Sequence, residues 1–244
     1  MSSPLDQFQI KPIVPIEIAG LNLAFTNSAL WMTVAAAGAT FFLVSAASGA
    51  KIVPGRLQSA AEVLYEFIAG MVRENVGDEG KKYFPFFFTL FMFVLFGNLV
   101  GLIPGAFTFT SHIVVTFTMA LIIFLTITLI GFARHGTHFL SLFFPSGAPL
   151  ATAPILIPIE VISYMSRPIS LSVRLFANMT VGHIILKIFA GFVISLGAFF
   201  VIPGVVPFSV LVGIMALEFF VAALQAYIFT ILACIYLHDA IHLH

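Results

Sequence analysis

From Tyr83 to Ala133 the chain runs for 51 residues without a single Asp, Glu, Lys or Arg. That length holds two membrane spans of about 20 residues with a turn between them. A water-soluble helix pair needs a polar face, and no such face can be drawn here. Composition agrees, because 61% of the 244 residues are hydrophobic and only 8% are charged, with 29 Phe among them. No soluble domain covers that much apolar surface, so lipid is the expected solvent. The formal net charge of zero leaves no basic patch to neutralise phosphates, and a nucleic-acid partner is not expected. The lone Cys234 cannot form an internal disulfide and reads as a small apolar helix residue.

The apolar pattern predicts an all-α integral membrane protein with five crossings and one amphipathic surface helix, in a single membrane domain spanning residues 1–244. Residues 1–27 mix Asp6, Lys11 and Glu17 with three prolines and read as a retained polar leader rather than a cleavable signal. The first span covers 28–48, closed by Lys51, Pro54 and Gly55. Over 56–75, Leu57, Ala61, Leu64, Ile68 and Met71 recur at helical spacing opposite Gln58, Glu62, Glu66 and Arg73, which predicts a helix lying on the membrane surface. Residues 83–133 form a helical hairpin about Pro104-Gly105, and Arg134, His135 and His138 are expected in a loop after it. The Phe-rich run Phe84 to Phe88 is expected to face lipid. Residues 149–244 make two long elements, with a turn at Pro203, Gly204 and Pro207. The last of these, about 36 residues, measures roughly 54 Å as a helix against a hydrocarbon core of about 30 Å, so it must tilt, bend or emerge. Basic residues cluster after spans one and three, which puts the N-terminus outside and the C-terminus inside.

Glu160, Arg167, Arg174, His183, Lys187 and Glu218 all fall in these last two elements. Ionisable groups inside a membrane are costly, and each requires a partner, a wet cavity or a function. On an ideal helix Ser163, Arg167, Ser170 and Asn178 lie within about 40° of Arg174, forming a stripe of small and polar side chains with no acid close by. Glu160 shares that side but stands roughly 21 Å away along the axis. Folding the two elements antiparallel opposes Arg174 to Gln225, His183 to Glu218 and Glu160 to Asp239, all in nearly one register. Arginine keeps its proton, so Arg174 is a fixed positive barrier between titratable groups on either side. Two half-paths separated by a permanent charge need a moving carrier, most simply a carboxylate on a neighbouring subunit. Arg167 is read as a paired or snorkelling residue, with a transport role as the alternative, and Lys187 as snorkelling.

Three segments, Ser170-Leu-Ser-Val-Arg-Leu-Phe-Ala-Asn-Met179, Gly182-His183 and Leu224-Gln-Ala-Tyr-Ile-Phe229, resemble the signature of subunit a of F-type ATP synthases. The resemblance extends to Ser3-Pro-Leu-Asp-Gln-Phe8, to Phe96-Gly-Asn-Leu99 with Ile103-Pro104, and to the ending Tyr236-Leu-His-Asp-Ala-Ile-His-Leu-His244. It implies a stator of the membrane motor beside a ring of c subunits, with peripheral-stalk b-type subunits as further partners. It implies that Arg174 faces the ring carboxylate, supported by Asn178 and Gln225. His183 and Glu218 would line the outer half-channel, with Glu160, Tyr236 and Asp239 in the inner one. The implied membrane is a bacterial plasma membrane, with the mitochondrial inner membrane as the alternative. Two positions depart from the pattern: some members exchange the residues at His183 and Glu218, and several have glycine at Ser172, whose hydroxyl would add bulk against the ring.

No glycine-rich phosphate loop is present, so the chain is not expected to be an enzyme by itself. No cofactor is expected, and His238 and His242, four apart, lack the further ligands a metal site needs. A self-contained secondary transporter and a structural membrane scaffold remain as alternative readings.

Overall fold

The computed structural model describes residues 8–15, 17, 18, 21, 22, 24–103, 105–144, 152–197 and 201–242. The Pro104 turn and most of the Ser3–Phe8 motif lie outside the described residues. The leader forms two short antiparallel ladders, β1 (Pro12–Val14) with β4 (Phe25–Thr26) and β2 (Glu17–Ile18) with β3 (Leu21–Asn22). Asn27 ties the outer ladder to the first helix, its side chain accepting from the Lys11 amide and donating to the Gln9 carbonyl.

Six α-helices follow among the described residues. They are α1 (Asn27–Ala47), α2 (Arg56–Val76), α3 (Phe84–Gly101), α4 (Ile113–His135), α5 (Ala153–Gly197) and α6 (Val201–Ile241). Five of the helical segments are long and apolar enough to cross a membrane, as expected; α2 is the amphipathic sixth. Thr26 caps α1 by accepting the Ala29 amide, which satisfies one of the free donors at a helix start. Phe84-Pro85 opens α3, where a proline costs nothing because the first amides have no partner inside the helix.

The structure shifts several expected boundaries. Arg134 and His135 end α4 rather than lying in a loop, and His138 sits in a 3-10 helix, Gly136–Phe143. Helix α5 ends at Gly197 and α6 begins at Val201, so Pro203, Gly204 and Pro207 belong to α6 rather than to a connection before it; residues 198–200 lie outside the described set. Gly204 belongs there for a steric reason: a Cβ on it would stand 3.0 Å from the Gly197 Cα, so the two backbones touch at the neck of the hairpin.

The Phe84–Phe88 run faces the protein as well as outward. Phe87 is fully buried, and Phe84 and Phe88 pack against Tyr65 of α2 with ring centroids 4.7 and 6.0 Å away. On α2 the expected stripe is buried only at Ile68 and Met71, with Val72 and Val76 beside them, whereas Ala61 and Leu64 are half-buried and Leu57 stays exposed. Beside that less buried part a cavity of about 390 Å³ separates α1 from α2.

Helix α3 packs on α1, α2 and α6, while α4 packs on α5 and α6. Asn98 pins α3 to α6, because its buried amide donates to the Ala222 carbonyl at 3.1 Å. The neighbouring Gly97 leaves room for the Phe109 ring, which a Cβ would meet at 2.5 Å. Burial is unequal: 44% of the most apolar stretch of the α3 span is covered by the chain, against 6% for α5. Helix α5 buries Tyr164, Leu171, Leu175 and Met179 along one stripe and leaves Ile162, Ile169, Val173 and Arg174 exposed on another.

Candidate functional site

The polar groups of the site are carried by the α5–α6 hairpin and fall at three levels. At 1.5 Å per residue these helices are roughly 68 and 62 Å long, well beyond one bilayer core. Both must tilt or project from it.

Nearest the turn, His183 and Glu218 face each other with Nδ1 and Oε1 3.5 Å apart, as the antiparallel register anticipated. Their side chains are 12% and 5% exposed. Both Glu218 oxygens lack a hydrogen-bond partner among the described residues. Gly182 makes this approach possible, since a Cβ there would meet Oε1 at 2.5 Å. On the far side of the imidazole, Nε2 lies 2.8 Å from Oγ1 of Thr108. A cavity of about 320 Å³ opens onto this level, lined by His183, Thr108 and Lys187 among otherwise largely apolar groups. It supplies room for water next to a titratable pair.

At the middle level Asn178 donates to Oε1 of Gln225 at 2.8 Å. Gln225 is 1% exposed and Asn178 stands at the surface. Arg174 lies one turn from Asn178, near the middle of α5, on the exposed side of the chain. It makes no ion pair with any acid among the described residues. The expected face-to-face partner of Arg174, Gln225, is thus engaged by Asn178 instead. Ser172 is fully buried and donates to the Ile169 carbonyl, so its hydroxyl adds no bulk to the exposed side.

At the third level Asp239 meets Arg167 at 3.0 Å, not Glu160 as the register suggested. The contact lies off the guanidinium N–H direction, so it is a charge pair rather than a hydrogen bond. The Arg167 guanidinium also stacks over the rings of Tyr164 and Tyr236, at 5.2 and 4.9 Å. These contacts are of the structural-pairing kind expected for Arg167 on one of its readings. Tyr164 is fixed in turn by the Thr128 hydroxyl at 2.8 Å. Glu160 is half-buried and makes no hydrogen bond or ion pair with the described residues. Beyond this level His238 and His242 stack with centroids 4.5 Å apart, and no group of three or more metal-ligating side chains occurs among the described residues.

The sequence reading missed Thr108, Tyr164 and Thr128. Thr108 and Thr128 are single hydroxyls on elements far along the chain, with no periodicity to mark them, and Tyr164 sits on α5 one turn from Arg167, where it reads as one more largely apolar helix residue.

Residues 29–238, nearly the whole helical region, match the profile of the family described as ATP synthase A chain. The chain belongs to that family. It is 63% identical to the ATP synthase subunit a of Paramagnetospirillum magneticum, with 100% of both chains covered. It is 62% identical to the subunit a of Rhodospirillum rubrum, again over 100% of both. The corresponding subunit of Rhizobium leguminosarum bv. trifolii is 54% identical, across 99% of this chain and 98% of that one. Identity at this level, extending through both long helices, makes the all-helical architecture a shared property of the A chain family.

Proposed function

We propose that the chain conducts protons to and from a rotating ring of c subunits, with Arg174 preventing a direct leak between two half-paths. One observation carries this reading. Arg174 stands in mid-helix on the exposed side of α5, with no ion pair to an acid among the described residues. A permanent cation at membrane depth is too costly to leave unpaired, so its counter-charge comes from outside the chain. A carboxylate on a ring subunit meets that need, because it is ionised beside Arg174 and protonated when it turns toward lipid.

The flanking levels then take distinct roles. His183 and Glu218, with the cavity beside them, form the proton site of the outer half-path. Glu160, Tyr236 and Asp239 border the inner one, and Asn178 with Gln225 braces the helices around the arginine. The orientation is N-terminus outside and C-terminus inside, following the basic loops. Bacterial relatives favour a bacterial plasma membrane. Peripheral-stalk b-type subunits complete the stator.

The test is Arg174→Ala in the intact complex reconstituted in vesicles. ATP-driven proton pumping is expected to fall below detection while the subunit still copurifies with the ring; pumping at the unmodified rate would reject the role. A solute transporter would instead move its substrate as a purified single chain.

A further inference from the structure

Thr108 lies in the connection after α3, 75 residues before His183 in sequence, yet its Oγ1 is 2.8 Å from the His183 Nε2. The same hydroxyl donates its only hydrogen to the Gly101 carbonyl at 3.1 Å. That carbonyl is among the last four of α3, which have no amide donor within the helix and take one from elsewhere when buried. A hydroxyl has one hydrogen. With it given to Gly101, Thr108 can only accept from His183, so Nε2 carries a hydrogen and the neutral imidazole keeps Nδ1 bare. Nδ1 is the atom that faces Glu218.

We infer that Thr108 is a positioning residue: by holding Nε2–H of His183, it presents Nδ1 as the proton acceptor to Glu218. The inference rests on the proton-path reading above. In the step it describes, the Glu218 carboxyl O–H bond breaks, an N–H bond forms at Nδ1, and the products are a carboxylate and an imidazolium. The reverse step returns the proton. The Nε2 hydrogen takes no part, since Thr108 directs its own hydrogen to a carbonyl that cannot pass a proton on. The 3.5 Å separation closes to hydrogen-bond length with a small side-chain rotation, as proton-transfer pairs commonly require. Two glycines seat the two partners. A Cβ on Gly182 would strike Glu218, and a Cβ on Gly101 would stand 2.8 Å from the Thr108 Oγ1. The other charged group at this cavity is Lys187, one turn beyond His183 on the same helix.

The test compares Thr108→Val, Thr108→Ser and Arg174→Ala in the intact reconstituted complex, with ATP-driven pumping as the readout and copurification with the ring as the assembly check. Valine matches the shape of threonine but cannot accept a hydrogen bond, and pumping is expected to fall roughly fivefold to tenfold, the factor one lost hydrogen bond supplies. Serine restores the acceptor and is expected to return pumping to within about twofold of the unmodified complex. If the valine variant fails to assemble, Thr108→Ala takes its place. Unchanged pumping in the variant lacking the hydroxyl overturns the inference, and so does a loss that serine does not rescue, which would mark a packing role. Normal pumping in the Arg174→Ala complex would instead remove the underlying proton-path reading.

Discussion

The two ends of the α5–α6 hairpin give their acids opposite partners. Near the turn Glu218 faces an imidazole, a group that can take a proton or return it. At the other end Asp239 faces the Arg167 guanidinium, which holds its charge at every accessible pH and is clamped between two tyrosines. On the proposed reading, the same residue class serves exchange at one end and fixed pairing at the other. Proton chemistry then follows the partner rather than the presence of a carboxylate: the exchangeable pair stands on the turn side of Arg174, and the Arg167–Asp239 pair borders the inner half-path without being its exchanging group.

The largest expected contrast is between Glu218→Gln and Asp239→Asn. Removing the exchangeable acid is expected to lower proton pumping roughly 100-fold or more, the scale of a lost acid or base group. Neutralising the fixed pair is expected to cost less than about tenfold, because pairing rather than exchange is lost. Equal losses in proton-pumping assays of the two complexes would erase the distinction between the ends.

A smaller effect is expected from spacing alone. Gly182→Ala places a methyl against Glu218, and pumping is expected to fall about tenfold through misplacement of the proton pair. Gly191→Ala, on the same helix with open space around it, is expected to stay within about twofold. Similar pumping rates in both would show that the close approach of Glu218 is not needed.

The smallest effect belongs to the fixed end. Arg167→Lys keeps the charge but gives up the planar stacking on Tyr164 and Tyr236, and a loss of about 1 kcal/mol in stability is expected. Thermal unfolding of the purified complex reads this; pumping is expected to remain within about twofold. A pumping loss as severe as that of Glu218→Gln would turn the fixed end into a second exchange site.

How much of this was legible in the sequence depends on how far each contact lies from simple periodicity. The five spans follow from apolar length, and the His183–Glu218 pairing follows from one antiparallel register, which the Gly197–Gly204 contact shares. That register slips by a few residues toward the other end. There Gln225 meets Asn178 rather than Arg174, and Asp239 meets Arg167 rather than Glu160. Strict register does not extend along a helix carrying Pro158 and Pro168, and a long arginine side chain reaches beyond its own helical level. The Phe84–Phe88 run was only partly legible because apolar side chains serve lipid and core equally well, and only α2 lying over the run decides between them. Thr108 was invisible for another reason. Its partner is fixed by how the α3–α4 connection folds back onto α5, which no local pattern encodes.

The most direct measurement is passive proton flux across vesicles holding the complex with Arg174 replaced by alanine, compared with the unmodified complex when both rings are locked to one subunit by a crosslink. Locked, the unmodified complex is expected to be tight, while the alanine complex leaks because the two half-paths join. An alanine complex that stays as tight as the unmodified one would contradict the claim that this guanidinium keeps them apart.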